Sequence, residues 1–239
     1  KFSDNIEAFV RKSIEPFVVA IRTYIELCFI DCEDVAENQE NKVVTIFLSY
    51  CQKDMDIADC LEENIAPYIC DKAKISRDIR DVEYHESFKR FMQSIEKHDY
   101  VITIISDNYL KSRNCMFEML EVVKDSYFSK KLLFIVLGDD DAKYYKNIPQ
   151  EGISADVYSA LGQAKYSKYW SSVDKELEIE IEEIGDPMHA ILQIKEKQIV
   201  QKILLDMPEF LEFIRDNKGL TLSEHIEKGF EDMISFMGL

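Results

Sequence analysis

Between residues 5 and 30 apolar residues recur at steps of three and four, placing Ile6, Val10, Ile14, Phe17, Ile21, Ile25 and Cys28 on one helical face. Pro16 reads as a kink or a first-turn residue, so the spacing predicts a helical arm of more than one segment. The acidic stretch from Asp31 to Lys42 has no period and reads as a linker. From Val43 the pattern changes to short continuous apolar runs at Val43–Ser49, Tyr100–Ser106 and Leu132–Leu137, with a weaker one at Lys72–Ser76. Amphipathic segments separate them, carrying Ile57, Leu61 and Ile65, then Phe88, Phe91, Met92 and Ile95, then Met116, Met119, Leu120 and Val123. Such runs are strands buried on both faces of a parallel sheet, and their alternation with helices predicts a doubly wound α/β domain.

Beyond Gly138 the run Asp139-Asp140-Asp141 and the stretch Pro149 to Gly152 mark a long polar connection, and the aromatic segment Tyr166 to Trp170 predicts a last strand. The remainder predicts helices. Asp174 to Glu183 reads as a solvated helix face, and Asp186-Pro187 as an N-cap with proline at the first helical position. Asp206-Met-Pro-Glu209 and Thr221-Leu-Ser-Glu224 have capping-box spacing, and Leu222, Ile226, Phe230, Met233 and Met237 form a stripe to be buried. Three regions result: a helical arm and linker over 1–41, the α/β domain over 42–185, and a helical extension over 186–239.

The charge balance narrows the partners. In 239 residues, 29 basic side chains face 46 acidic ones, a net charge of −17; this field repels nucleic-acid phosphates and anionic lipid, so direct nucleic-acid or membrane binding is not expected. No apolar run approaches the ~20 residues of a membrane span. Glu7, Arg11, Lys12 and Glu15 stand where a signal peptide would be apolar, which predicts a cytoplasmic protein. The chain opens on Lys1 rather than Met, as the tail of a longer protein would. The six cysteines contain no CxxC pair and read as buried free thiols, and the four histidines have no ligand spacing, so no metal is expected.

In an open parallel sheet, ligands bind beyond the carboxyl ends of the strands. That rule selects Ser49–Asp54, Ser76–Tyr84, Ser106–Ser112 continuing to Glu118, and Gly138–Asp141. The turn Ser49-Tyr50-Cys51-Gln52-Lys53-Asp54 has no glycine to close backbone amides on a pyrophosphate, which disfavours a dinucleotide dehydrogenase or a nucleotide triphosphatase. GxSxG is absent, and His85 is the one histidine in these loops, so a Ser-His-Asp hydrolase has little support. The loops do offer carboxylates, Arg77, Arg80 and aromatic rings. These suit a sugar or nucleotide whose bond breaks through an oxocarbenium-like state, where a carboxylate holds hydroxyls or stabilises positive charge.

Val43-Val-Thr-Ile-Phe-Leu-Ser-Tyr50 with Asp54, Ser76-Arg-Asp-Ile-Arg-Asp-Val-Glu83, and Asp99 to Ser112 with Cys115-Met-Phe-Glu118 together resemble a Toll/interleukin-1 receptor (TIR) domain of the bacterial type. The resemblance runs from about Lys42 to Trp170, with Tyr169-Trp170 similar to the aromatic-Trp box near the end of such domains. It implies a flavodoxin-like sheet. Many bacterial and plant relatives cleave NAD at the nicotinamide glycosidic bond with one glutamate, and the family's cysteine, two residues, glutamate pattern falls on Cys115 and Glu118. By resemblance Glu118 is the catalytic carboxylate, engaging the nicotinamide-side ribose hydroxyls and stabilising the oxocarbenium. Water, or an adenine nitrogen or ribose oxygen of the same molecule, then takes the anomeric carbon. NAD is substrate here, with no cofactor, and Ser49, Tyr50, Asp54, Arg77 and Arg80 are the implied substrate-binding residues. Ser76–Glu83 becomes the BB loop that packs on a neighbouring subunit, so activity would depend on homo-oligomeric assembly, in a setting of antiphage immunity. A TIR interaction module or adaptor without chemistry is the other reading. Asn114 stands where relatives often have tryptophan, and Ser76–Glu83 lacks their common glycine.

The residues themselves leave alternatives open. An ideal helix puts Glu118 about 150° from the Met116, Met119, Leu120, Val123 stripe, so periodicity alone makes it an exposed first-turn glutamate favoured by the helix dipole; the surrounding motif reverses that. Glu121 reads as solvated. Tyr50 and Asp54 could stack on and hydrogen-bond a nucleotide, or end a strand and cap a helix. Arg77 and Arg80 could clamp a pyrophosphate, or pair with Asp78, Asp81 and Glu83. Cys115 reads as a packing thiol and Trp170 as a core residue.

Overall fold

Four apolar runs become strands: β1 (Val44–Ser49), β2 (Ala73–Arg77), β3 (Tyr100–Ile105) and β4 (Leu132–Val136). A computed structural model describes residues 43–77, 95–124, 127, 129–149, 151–217 and 219–239. The N-terminal arm, its linker, Arg80, and the segment with Phe88, Phe91 and Met92 lie outside these residues. The strands run parallel in the order β2-β1-β3-β4, and parallel neighbours cannot be joined by a tight hairpin.

Strand alternation divides the core in two. Phe47, Val101, Ile105, Phe134 and Val136 point to one face, and Ile46, Leu48, Ile102, Ile104 and Ile135 to the other. The second face is covered by α1 (Met55–Ile69), through Ile57, Leu61 and Ile65. After β3 come the short α2 (Asp107–Leu110) and then α3 (Arg113–Lys124), whose Met116, Met119 and Leu120 cover the first face. Ile95 is buried there too. This is the flavodoxin-like, doubly wound arrangement.

The segment expected as a last strand is helical: Tyr166 and Trp170 lie in α4 (Ala160–Ile184). Four residues apart, they share one helical face; both are buried, and the Trp170 indole donates to the Leu110 carbonyl at 3.0 Å. The acidic run continues the same helix, which ends where Gly185 adopts the left-handed conformation. Asp186 caps a turn, accepting from the Met188 amide at 2.9 Å, and the next helix, α5 (Ile191–Asp216), starts four residues after Pro187. Asp206-Met-Pro-Glu209 lies inside α5. There the stripe Val200, Ile203, Met207, Phe210, Leu211 and Ile214 buries continuously, and tertiary burial carries the helix through Pro208 against local propensity. The Thr221–Glu224 capping box forms as its spacing predicts, opening α6 (Leu222–Glu227), with α7 (Glu231–Met237) behind it. Leu222, Phe230, Met233 and Met237 are buried on the second sheet face, with half-buried Ile226 beside them.

The helices after Gly185 pack on the α/β layers, and Val44–Leu239 form one compact unit. Ion pairs Lys202–Glu121 at 2.6 Å, Lys124–Asp206 at 2.5 Å and Arg113–Glu196 tie α3 to α5. Glu121, expected as solvated, is therefore a paired residue. Among the described residues no fifth strand forms. The outer edge of β4 instead takes a single parallel bridge from Leu220, whose carbonyl accepts from the Val136 amide at 3.1 Å. Gly219 permits that approach, since a Cβ there would lie 3.0 Å from the Phe134 carbonyl oxygen.

Candidate active site

The carboxyl ends of β1, β3 and β4 bring polar side chains into the interior, each of which must find partners. Asp54, in the 3-10 turn Gln52–Asp54 after β1, is 0 % exposed. It accepts from Ser106 Oγ at 2.5 Å and Asn108 Nδ2 at 2.9 Å beyond β3, and from the Tyr145 hydroxyl at 2.8 Å beyond β4. Burial pushes its carboxyl above the ordinary aspartate range, against the opposing pull of these three donors. Burial and the Asp54 charge in turn push the Tyr145 hydroxyl far up, so it stays a donor. Asp54 thus clamps three loops from inside and makes no side-chain cap to α1. Asp141 does the same one loop away, accepting from the Gly138 amide at 2.9 Å and from the Ser223 amide and hydroxyl at 2.9 and 2.7 Å.

Around this clamp stand the other residues selected from sequence. Ser49, also buried, lies 3.3 Å from the Tyr109 hydroxyl. Tyr50 is half-buried, and the Arg77 guanidinium sits 5.8 Å from its ring centroid. Arg77 ends β2 and donates to Glu62 and Asp59 of α1 at 2.6 Å each. Burial opposes its charge, but these carboxylates outweigh that and hold it above its ordinary range. Among the described residues the Arg77 partners are thus these two carboxylates of α1, while Asp78, Asp81 and Glu83 lie outside the described residues.

Glu118 is not on a solvated face. It is 2 % exposed among the buried residues of α3, and because the helix begins at Arg113 it falls in the second turn rather than the first. Cys115, three residues before it, is also buried, and its thiol hydrogen-bonds to Cys51 in the loop after β1, drawing the Cys51 thiol below its usual range against burial. Residues three apart are neighbours on a helix, so that contact anchors the part of α3 that carries Glu118 to the Ser49–Asp54 loop. Among the other cysteines, Cys60 is half-buried and Cys70 exposed, which departs from the expectation of buried thiols throughout. Among the described residues no cluster of His, Cys, Asp and Glu could hold a metal ion, and no helix is long and apolar enough to cross a membrane.

The sequence pattern did not reveal Tyr145 or the convergence of Ser106 and Asn108 on Asp54. Tyr145 is 91 residues from Asp54 and carries no local signal.

The parallel sheet, the covering helices on both faces and the loops converging at one sheet end define a flavodoxin-like α/β architecture. The TIR domain family model matches residues 46–179, and the chain belongs to that family. No curated protein matches the chain. TIR domains include NAD-cleaving enzymes as well as non-catalytic adaptors, and they commonly self-associate.

Proposed function

We propose that the chain is a TIR NAD glycohydrolase or ADP-ribosyl cyclase, active as an assembly, with Glu118 as its catalytic carboxylate and a role in bacterial antiphage immunity. The observation that carries this reading is a glutamate buried in α3 at the Cys115-x-x-Glu118 pattern, where helix period alone would leave it in water. Nicotinamide leaves NAD as a neutral base, taking the glycosidic electron pair, so no general acid is required. One carboxylate to hold the ribose hydroxyls and face the oxocarbenium suffices, and an environment of low polarity strengthens that interaction. Water, or an adenine nitrogen or ribose oxygen of the same molecule, then bonds to the anomeric carbon and loses a proton.

On this reading Tyr50 would stack on a ring of the substrate, with Ser49 beside it. Arg77 would reach the pyrophosphate by leaving Asp59 and Glu62, with Arg80 as the second cation. Asp54 acts from within, holding the loops. At 2 % exposure Glu118 meets NAD only after the surrounding chain moves, which accords with activity gated by assembly.

The test incubates purified wild type and Glu118→Ala with NAD at low and high protein concentration, and measures nicotinamide and every ADP-ribose species by chromatography and mass spectrometry. Glu118-dependent release that rises faster than linearly with protein is the expected result. An assembled, folded Glu118→Ala protein with unchanged turnover would refute it. A second reading, a TIR adaptor without chemistry, is favoured by one observation: Asp54 and Arg77 are both committed to internal partners. Self-association with no nicotinamide release at any concentration would support it.

A further inference from the structure

The hairpin of α4 and α5 changes character along its length. Near the sheet it is a core element, through Tyr166 and Trp170 on one helix and Val200, Ile203 and Met207 on the other. Between Asp174 and Ile199 only Ala190 is buried. A helix with an apolar stripe needs a surface to bury it; here, among the described residues, the two helices face chiefly each other, with the Arg113–Glu196 ion pair as a link from α5 to α3. Ile179, Ile184, Met188, Ile191 and Leu192 are left exposed, Met188 by 73 % and Leu192 by 72 %. Single exposed apolar residues are ordinary, but five within fourteen positions at the free end of a hairpin form a contact surface.

Charge selects what can cover it. Residues 174–183 of α4 hold six carboxylates against Lys175 alone. The same stretch of α5 is net positive, and its Lys195 points to solvent while Lys197 pairs with Glu178 of α4 at 3.4 Å. Two α4 helices side by side would repel, whereas α4 of one chain against α5 of another joins opposite charges. Phosphate-bearing partners are repelled by the acidic helix. We propose that the hairpin tip is the docking surface for a second copy of this chain, the two hairpins running antiparallel as a four-helix bundle with each α5 against the other copy's α4. The surface serves an enzyme or an adaptor equally, so its fate is separate from that of Glu118.

The test is the mass of the full chain by light scattering, wild type beside the double substitution Met188→Glu and Leu192→Glu. The charged side chains replace exposed ones, so circular dichroism should be unchanged. The expected result is a wild-type mass of twice the 28.0 kDa chain, halved in the variant. As a second variant, Lys195→Glu should weaken the dimer about tenfold at low salt, with the effect shrinking as salt is added. A wild type at the single-chain mass, or a double variant with the wild-type mass, would overturn the proposal.

Discussion

The end of the sheet and the tip of the α4–α5 hairpin invert the usual distribution of side chains in opposite ways. At the sheet end, carboxylates are inside: Asp54, Asp141 and Glu118 are all buried. At the tip, apolar side chains are outside. Buried charge is costly unless it is partnered or put to use, and exposed apolar surface is unfavourable unless something covers it. The first departure therefore marks a clamp or chemistry, and the second marks an interface. Asp54 and Glu118 further divide the sheet end, since Asp54 binds three loops together and Glu118 is the group proposed for catalysis.

The largest effect on stability should come from the support shared by both regions. Trp170→Ala empties a buried volume between α4 and the α2 turn and removes a hydrogen bond, and should cost about 4 kcal/mol in urea unfolding. Asp54→Ala strands three donors and should cost about 3 kcal/mol. Asp54→Asn keeps oxygen and shape and should cost about 1 kcal/mol or less. It also removes a pH dependence of known sign. A carboxyl raised in the folded state contributes stability that is present below the ordinary aspartate range and lost as pH rises through the raised value, so the wild type should lose stability over that window and Asp54→Asn should not.

His225 gives the opposite slope. It is buried against Phe230, and among the described residues its Nε2 has no hydrogen-bond partner. Burial lowers its pKa, while Asp232, Glu224 and Asp141 pull it up and Lys228 pushes it down. Its stabilising contribution is present above the ordinary histidine value and lost as pH falls towards the lowered one. Unfolding followed by circular dichroism should show a slope of at most about 1.4 kcal/mol per pH unit there, absent in His225→Gln. The smallest effect belongs to the tip: in dilute solution, Met188→Glu with Leu192→Glu should change unfolding free energy by about 0.5 kcal/mol or less.

Three strands were legible because each is a short apolar run with polar flanks, and β2, Ala-Lys-Ile-Ser-Arg, gave a weaker signal because its apolar residues alternate with polar ones; the structure moves the ends of all four by no more than one residue. Tyr166–Trp170 misled because a dense aromatic cluster suits a strand as well as a helix face, and only the i, i+4 burial of Tyr166 and Trp170 distinguishes them. Capping chemistry was readable at Thr221–Glu224, where the chain was free to start a helix. It was misleading at Asp206–Glu209, where the burial of Met207 and Phe210 kept a helix running. Glu118 shows the limit of periodicity: its angle around α3 points to water, yet it is buried, and no local pattern announces the tertiary contacts that bury it. The convergence on Asp54 depends on Tyr145, brought in by the sheet, and was invisible for the same reason.

The most direct test of the account is NAD turnover by Glu118→Gln, with Asp54→Asn as its control, in preparations matched to wild type for mass and secondary structure. If the buried carboxylate of α3 faces the developing positive charge, Glu118→Gln should lose about 100-fold or more while Asp54→Asn stays near wild type. Equal turnover by Glu118→Gln and wild type would contradict the assignment of Glu118.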